Sequence, residues 1–153
     1  MLRLTRVTDY GILLMTSMVT TQASCRTTSE LSALTHVPAP TVSKILQSLL
    51  NAGLLESVRG AKGGYRLARD AEAISLQDII QSLEGRIALT TCNLDDDDCD
   101  QKDVCSTTHN WKRINGAIQN ALHSISLADM AADDFMPVFQ MKKVLPIHAM
   151  EAA

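Results

Sequence analysis

The order of elements in residues 28–69 constrains the fold of this chain most. Pro38 and Pro40 open a helix, because a missing N–H costs little in a first helical turn, and Gly53 ends it at a position that glycine favours. A shorter helix precedes these prolines, and two short strands joined by the glycine-rich loop GAKGG follow them. Two helices joined by a short turn and followed by a β-hairpin predict a winged helix-turn-helix.

Apolar periodicity predicts which sides of these helices face the core. The first helix of the pair is capped by Thr27 or Thr28, and its leucines at 31 and 34 are expected to point inward. Another helix is predicted upstream over residues 8–19, with Thr8 as its cap. The second helix of the pair is expected to bury one face, which consists of Val42, Ile45, Leu46, Leu49 and Leu50.

Charge is divided unevenly along the chain. Residues 1–69 carry eight basic and three acidic side chains, whereas residues 70–153 carry six basic and fourteen acidic ones. A basic first half and an acidic second half predict that only the first half approaches a polyanion such as DNA.

The composition is that of a globular domain with an aliphatic core, since 46% of the residues are hydrophobic but only 3% are aromatic. The apolar run near the N-terminus is interrupted by Asp9 and Tyr10, so it predicts a helix and not a membrane span or a signal peptide. We therefore expect a cytoplasmic protein with no membrane partner. In a reducing compartment its cysteines are expected to be metal or redox ligands and not disulfides.

Three cysteines, Cys92, Cys99 and Cys105, lie in an acidic stretch, TTCNLDDDDCDQKDVCSTTHNW, and His109 follows them. Soft thiolate ligands at this density indicate a zinc site, an iron–sulfur cluster or a redox switch. Structural zinc sites usually bring their thiolates in C-x2–4-C pairs, which this stretch lacks, so the wider spacing favours a cluster. The aspartates at 95–98 lack the glycine and the closing glutamate of an EF-hand and are predicted to be solvated.

A helix with a continuous apolar seam is predicted over residues 110–126. The seam could pack on the chain's own core or on a second copy of the chain. We favour a homodimer, because a helix-turn-helix reads paired half-sites through two-fold symmetry. The seam residues are Trp111, Ile114, Ile118, Ala121 and Ile125, with Ala117 and Leu122 beside them.

The segment PAPTVSKILQSLLNAGLLESVRGAKGGYRLAR, followed by three spaced cysteines, resembles the IscR-type winged-helix iron–sulfur regulators. The resemblance runs from about residue 2 to residue 130, and HNWKRINGAI is most similar to the branch that regulates Suf cluster assembly. It implies a homodimer that binds operator DNA and holds a cluster, with [2Fe–2S] favoured over [4Fe–4S]. It also implies that Cys92, Cys99 and Cys105 are cluster and metal ligands.

The fourth cluster ligand has two candidates. His109 follows Cys105 after three residues, and iron–sulfur sites accept histidine in place of cysteine. Some proteins of the family use an acidic residue of the first helix from the partner subunit, and Asp9 lies in that region. The cysteines here are separated by six and five residues, whereas the family commonly has five and five, so the spacing does not decide between His109 and Asp9.

The same resemblance assigns the DNA contacts. The start of the second helix of the pair is expected to face base edges, and the wing is expected to enter a groove or approach phosphates. The expected DNA-binding residues are Thr28, Ser29, Thr41, Ser43, Lys44, Arg59, Lys62 and Gly63.

The expected architecture is mostly α, with one regulator domain over residues 1–132 and a flexible tail over 133–153. Within the domain we predict a helix-turn-helix over 28–52, a wing over 54–69, a cluster loop over 90–109 and a dimer helix over 110–126. The expected function is transcriptional regulation, as a repressor or activator of iron–sulfur assembly genes, in response to cluster status. A nitric oxide or redox sensor of the same fold is the alternative. No nucleophile–base pair or carboxylate dyad supports an enzyme or a small-molecule substrate.

Overall fold

The computed structural model describes residues 4–20, 25–60, 63–90 and 105–133. This part of the chain is mostly helical and contains a two-stranded antiparallel sheet, which confirms the predicted fold class. No helix in these ranges is long and apolar enough to cross a membrane. The elements are α1 (Arg6–Val19), α2 (Thr28–Thr35), α3 (Ala39–Asn51), β1 (Leu55–Val58), β2 (Gly64–Leu67), a 3-10 helix (Ala71–Ala73), α4 (Leu76–Glu84), α5 (Thr108–His123) and α6 (Leu127–Ala131).

The core is aliphatic, as the scarcity of aromatic residues predicts. The apolar face of α3 is buried as expected, apart from the half-buried Leu50, and it packs against α1, α2 and α4. Helix α6 adds Leu127, which is fully buried and lies against α1. The main contributors are Leu14, Met15, Leu31, Val42, Ile45, Leu46, Leu49, Ile74, Ile79 and Leu127.

Two expectations for the first helices are wrong. Helix α1 begins at Arg6, and its cap is Thr5, whose hydroxyl accepts a hydrogen bond from the backbone N–H of Thr8. Thr8 is inside the helix and fully buried, and its hydroxyl is paired because it donates a hydrogen bond to the Glu84 carboxylate. In α2, Leu31 is buried as expected, but Leu34 is 53% exposed, because a helix of eight residues presents only a narrow face to α1 and α3.

The wing is a hairpin in which β1 and β2 pair in antiparallel register, with Glu56 opposite Arg66. The linker before α2 joins its edge through two backbone hydrogen bonds between Arg26 and Tyr65, of 2.8 and 2.7 Å. This close approach requires glycine at position 64, since a Cβ there would lie 2.5 Å from the Arg26 carbonyl oxygen. The hairpin is thereby fixed to the body of the domain.

A second backbone bridge returns the end of α5 to the core. The N–H of Leu76 donates to the Ile125 carbonyl, and the N–H of Leu127 donates to the Ile74 carbonyl, both at 2.8 Å. The helices that follow, α4 and α6, each begin with a complete capping box. Because α5 ends at His123, Ile125 of the expected seam lies in this bridge and not on the helix.

Candidate functional site

The start of α3 is exposed and electropositive. Of the three residues expected to face DNA here, Ser43 and Lys44 are exposed and Thr41 is half-buried, while Val42 between them is fully buried. The helix begins at the Pro38 cap, no side chain bonds to its first turn, and that turn contains no acidic residue. The partial positive charge of the helix N-terminus is therefore available to a phosphate.

The start of α2 differs in its charge. The Glu30 carboxylate accepts hydrogen bonds from the Thr27 N–H and hydroxyl, at 2.8 and 3.1 Å, and these bonds lower the pKa of Glu30. Its negative charge therefore already occupies this helix N-terminus. Thr28 is half-buried and Ser29 exposed in the same turn, so their hydroxyl groups are the polar contacts that this end can offer to DNA.

The wing contributes an exposed cation at its tip. Arg59 is exposed at the end of β1, whereas the exposed Arg66 on β2 forms a 2.7 Å ion pair with Glu56. Gly63 closes the tip, where a Cβ would collide with the Val58 carbonyl oxygen. Lys62, the other expected basic contact, lies outside the described residues.

Cys105 lies just before α5 as a half-buried free thiol. Its Sγ is 3.2 Å from the Thr107 hydroxyl, and this hydrogen bond is the main cause that lowers the pKa of Cys105 to about 7. The lowered pKa increases the fraction of thiolate near neutral pH, and the thiolate is the form that binds metals and reacts with oxidants. The chemistry of Cys105 therefore fits a metal or redox ligand.

The other expected ligands are described only in part. His109 is exposed in the first turn of α5, one turn beyond Cys105, and Asp9 is exposed in the first turn of α1. Cys92 and Cys99 fall outside the described ranges. Within those ranges no three histidine, cysteine, aspartate or glutamate side chains come together as a metal site.

Two polar side chains of α5 hold the chain that leads toward Cys92, a contact that sequence reasoning missed. Asn115 is only 6% exposed; its Oδ1 accepts from the Leu89 N–H at 3.0 Å, and its Nδ2 donates to the Ile87 carbonyl at 3.3 Å. Gln119 Nε2 donates to the same carbonyl at 2.9 Å. We call these two side chains and the backbone of residues 87 and 89 the Asn115 clamp. The available signal was Asn115 itself, a polar residue at i+4 from Trp111 on the apolar stripe of the helix.

The expected seam on α5 is exposed over its first half, whereas its later residues, Ile118, Ala121, Leu122 and Ile125, are half-buried. Trp111 is 38% exposed and Ile114 is 45% exposed, and Ala117 on the same face is also exposed. On its other side α5 packs against α4. Large apolar side chains in a row on a helix indicate a surface that another protein covers.

The family assignment follows from comparison with known proteins. Residues 4–133 match the model of the Rrf2 family, which is described as "Iron-dependent Transcriptional regulator". The chain belongs to the Rrf2 family. Among curated relatives, this Rrf2 protein is 33% identical over 93 residues to the HTH-type transcriptional regulator IscR of Vibrio cholerae. The match covers 61% of this chain and 53% of that protein, so this chain spans about half of its length.

Solved structures support the same assignment. CymR, the global cysteine regulator of B. subtilis, superposes with a TM-score of 0.67 at 29% identity, covering 86% of this chain and 97% of CymR. IscR of T. potens superposes with a TM-score of 0.64 at 29% identity, covering 84% of this chain and 85% of that one. These relatives are named transcriptional regulators and not enzymes. The match to CymR and IscR supports the predicted fold class, which is mostly helical with a two-stranded antiparallel hairpin.

Proposed function

We propose that this Rrf2 protein is a homodimeric repressor or activator that binds operator DNA and responds to an iron–sulfur cluster. The observation that carries the proposal is the position of Cys105, a thiol with a lowered pKa that directly precedes α5, the helix on which Trp111 and Ile114 are exposed. A ligand change at this cysteine acts next to the surface that pairs the two copies. The genes regulated are proposed to be those of iron–sulfur assembly, including the Suf branch, and the compartment to be the cytoplasm.

The DNA-binding part of the proposal rests on exposed positive charge. Lys44 and Arg59 are exposed, and the α3 N-terminus has no acidic residue to neutralise it. In a winged helix, the second helix of the pair enters the major groove, so we propose that Thr41, Ser43 and Lys44 of α3 read base edges. The residues proposed to contact the neighbouring backbone or groove are Arg59, Lys62 and Gly63 of the wing, and those proposed to contact phosphates are Thr28 and Ser29.

The cluster-binding part rests on donor chemistry. Cys105 is free, accessible and partly ionised near neutral pH, as a thiolate ligand must be. We propose Cys92, Cys99 and Cys105 as ligands, with His109 or Asp9 of the partner subunit as the fourth. A bound cluster, proposed to be [2Fe–2S], would supply a reversible change in charge, oxidation state or occupancy. The thiolates hold it, and the backbone leading to them transmits its presence.

The experiment is anaerobic reconstitution with iron and sulfide, followed by native mass spectrometry and iron and sulfide determination. The expected result is a coloured dimer with stoichiometric iron and sulfide, and loss of the cofactor in Cys105→Ala. The exposed fourth-ligand candidates are compared in His109→Ala and Asp9→Ala. A colourless wild-type protein without iron after reconstitution contradicts the cluster.

A second candidate function is direct sensing of nitric oxide or oxidants by the cysteines without a cluster. The lowered pKa of Cys105 favours it, because thiolates are the species that oxidants attack. The similarity to CymR, a protein named for cysteine regulation, also supports it. In this case metal-free protein would change its operator affinity after mild oxidation, and a reductant would restore that affinity. A metal-free protein that is insensitive to oxidation excludes this candidate.

A further inference from the structure

Asn115 is the buried residue of α5, although two larger apolar side chains of the same helix are exposed. It is 6% exposed, whereas Trp111 and Ile114 on the same helix are 38% and 45% exposed. Burying an amide side chain costs free energy unless its donor and acceptor are both paired. Asn115 Oδ1 is paired with the Leu89 N–H and Nδ2 with the Ile87 carbonyl, so the buried amide provides hydrogen-bond partners for the backbone of those two residues.

The clamp fixes a stretch that has no regular secondary structure. Residues 87–90 follow the end of α4 at Glu84 and belong to no helix or strand. The Ile87 carbonyl accepts from two side chains and the Leu89 N–H donates to one of them. Because Leu89 lies three residues before Cys92 in the sequence, the clamp fixes the backbone just upstream of the first cysteine.

The third cysteine is attached to the same helix. The Thr108 N–H, in the first turn of α5, donates to the Cys105 carbonyl at 3.4 Å. From Thr108 to Asn115 the helix rises about 10 Å. The stretch that contains Cys92 and Cys99 in the sequence is therefore anchored before and after on one helix.

The end of α4, just before residues 87–90, is also linked to α1. The Glu84 carboxylate accepts hydrogen bonds from the Thr5 N–H, at 2.7 Å, and from the Thr8 hydroxyl. Helix α1 packs against α3, which presents the expected DNA contacts. Residues 84–89 thus connect three helices. Glu84 is the last residue of α4, and its carboxylate bonds to the start of α1. The backbone of residues 87 and 89 bonds to Asn115 of α5.

We infer that Asn115 and Gln119 are positioning residues, which couple the state of the cysteines to the placement of α5 and, through the dimer, to operator affinity. The inference rests on the proposed function and deepens it. Occupation of the cysteines moves the backbone of residues 87–89 relative to α5 only if the clamp transmits the movement. Removal of the clamp leaves the thiolates and the DNA contacts in place, but the state of the cysteines then has less influence on the affinity for DNA.

The test compares wild type, Asn115→Ala and Gln119→Ala with Asn120→Ala, an exposed amide on the same helix. Each protein is reconstituted anaerobically, and its affinity for a duplex selected from a random pool by the wild type is measured with and without cluster. Hydrogen exchange of the Leu89 amide in the metal-free proteins is the second readout, and iron content is the third. Gln119→Ala removes one hydrogen bond and keeps Asn115, so it remains informative if Asn115→Ala does not fold.

Asn115→Ala is expected to bind iron. The ratio between its DNA affinities with and without cluster is expected to be about tenfold smaller than in wild type, the factor expected for about two hydrogen bonds. Its Leu89 amide exchanges faster, Gln119→Ala lies between, and Asn120→Ala matches wild type. An unchanged affinity ratio in both clamp variants, with faster Leu89 exchange, overturns the inference and leaves the proposed function intact. A wild type that takes up no cluster overturns the proposed function itself.

Discussion

Helices α3 and α5 are both amphipathic, but they use their apolar faces in opposite ways. In α3 the apolar face that contains Ile45 and Leu46 is buried within the chain, apart from the half-buried Leu50. In α5 the apolar side chains Trp111 and Ile114 are exposed, and the buried residue is the polar Asn115. The core around α3 is therefore complete in one copy of the chain, whereas α5 has exposed apolar side chains, which fit the proposed dimer seam.

The largest expected effect is a loss of folding stability when the core around α3 is disrupted. Leu46→Ala removes a fully buried side chain of α3 and is expected to lower the free energy of unfolding by about 3 kcal/mol. Leu34→Ala, at a leucine that is 53% exposed, is the matched control and is expected to change it by less than about 0.5 kcal/mol. Urea denaturation of the metal-free protein measures both. Equal losses in the two variants would contradict the burial described for α3.

The next effect concerns the open side of α5. Ile114→Asp places a charge in the proposed dimer seam and is expected to raise the dimer dissociation constant about hundredfold, or about 2.7 kcal/mol. Sedimentation equilibrium measures this constant, and circular dichroism is expected to show unchanged helix content. Lys112→Ala, on an exposed neighbour outside the seam, is the control. A dimer that is unaffected by Ile114→Asp would place the interface elsewhere.

A third prediction separates the two exposed arginines of the wing. Arg59→Ala is expected to weaken operator binding about tenfold and to reduce the slope of log affinity against log salt by about one. Arg66→Ala is the control, because its charge is already paired with Glu56 and should contribute little to DNA binding. Fluorescence anisotropy at several salt concentrations measures both slopes. Equal effects of the two substitutions would remove the special role of Arg59.

The smallest effect concerns Cys105 in the metal-free protein. Its thiol is expected to be alkylated with a midpoint near pH 7, because the lowered pKa makes thiolate available from that pH upward. Thr107→Val removes the main hydrogen bond and moves the midpoint to higher pH. Peptide mapping after iodoacetamide treatment across a pH series distinguishes Cys105 from the other cysteines. The same midpoint in both proteins would assign the lowered pKa to another cause.

The sequence predicts the body of the fold better than the contacts between its helices. The proline start of α3 and Gly53 just past its end depend on local rules, and the structure has them as predicted. Of the two threonines predicted as the cap of α2, the structure has Thr27. Thr8 was predicted as a cap because it is a threonine before an apolar run. It is instead buried inside the helix, and its hydroxyl donates a hydrogen bond to the carboxylate of Glu84, 76 residues away.

The same limit applies to the candidate site. The three cysteines are visible from their spacing alone, and Lys44 and Arg59 from the winged-helix pattern. Asn115 was missed because an amide on a helix is usually solvated. Its partners are backbone groups 26 and 28 residues earlier in the chain, which no helical periodicity reveals. Leu34 was misplaced for a related reason, since periodicity cannot show how wide a face the neighbouring helices cover.

The central claim is that the state of Cys92, Cys99 and Cys105 determines the affinity for DNA. The most direct test measures, by anaerobic fluorescence anisotropy, the affinity of one preparation for the selected duplex before and after cluster removal by a chelator. The account predicts that the two affinities differ by at least tenfold and that reconstitution restores the first value. Equal affinities in the two states, with iron and sulfide shown to be lost, would contradict it.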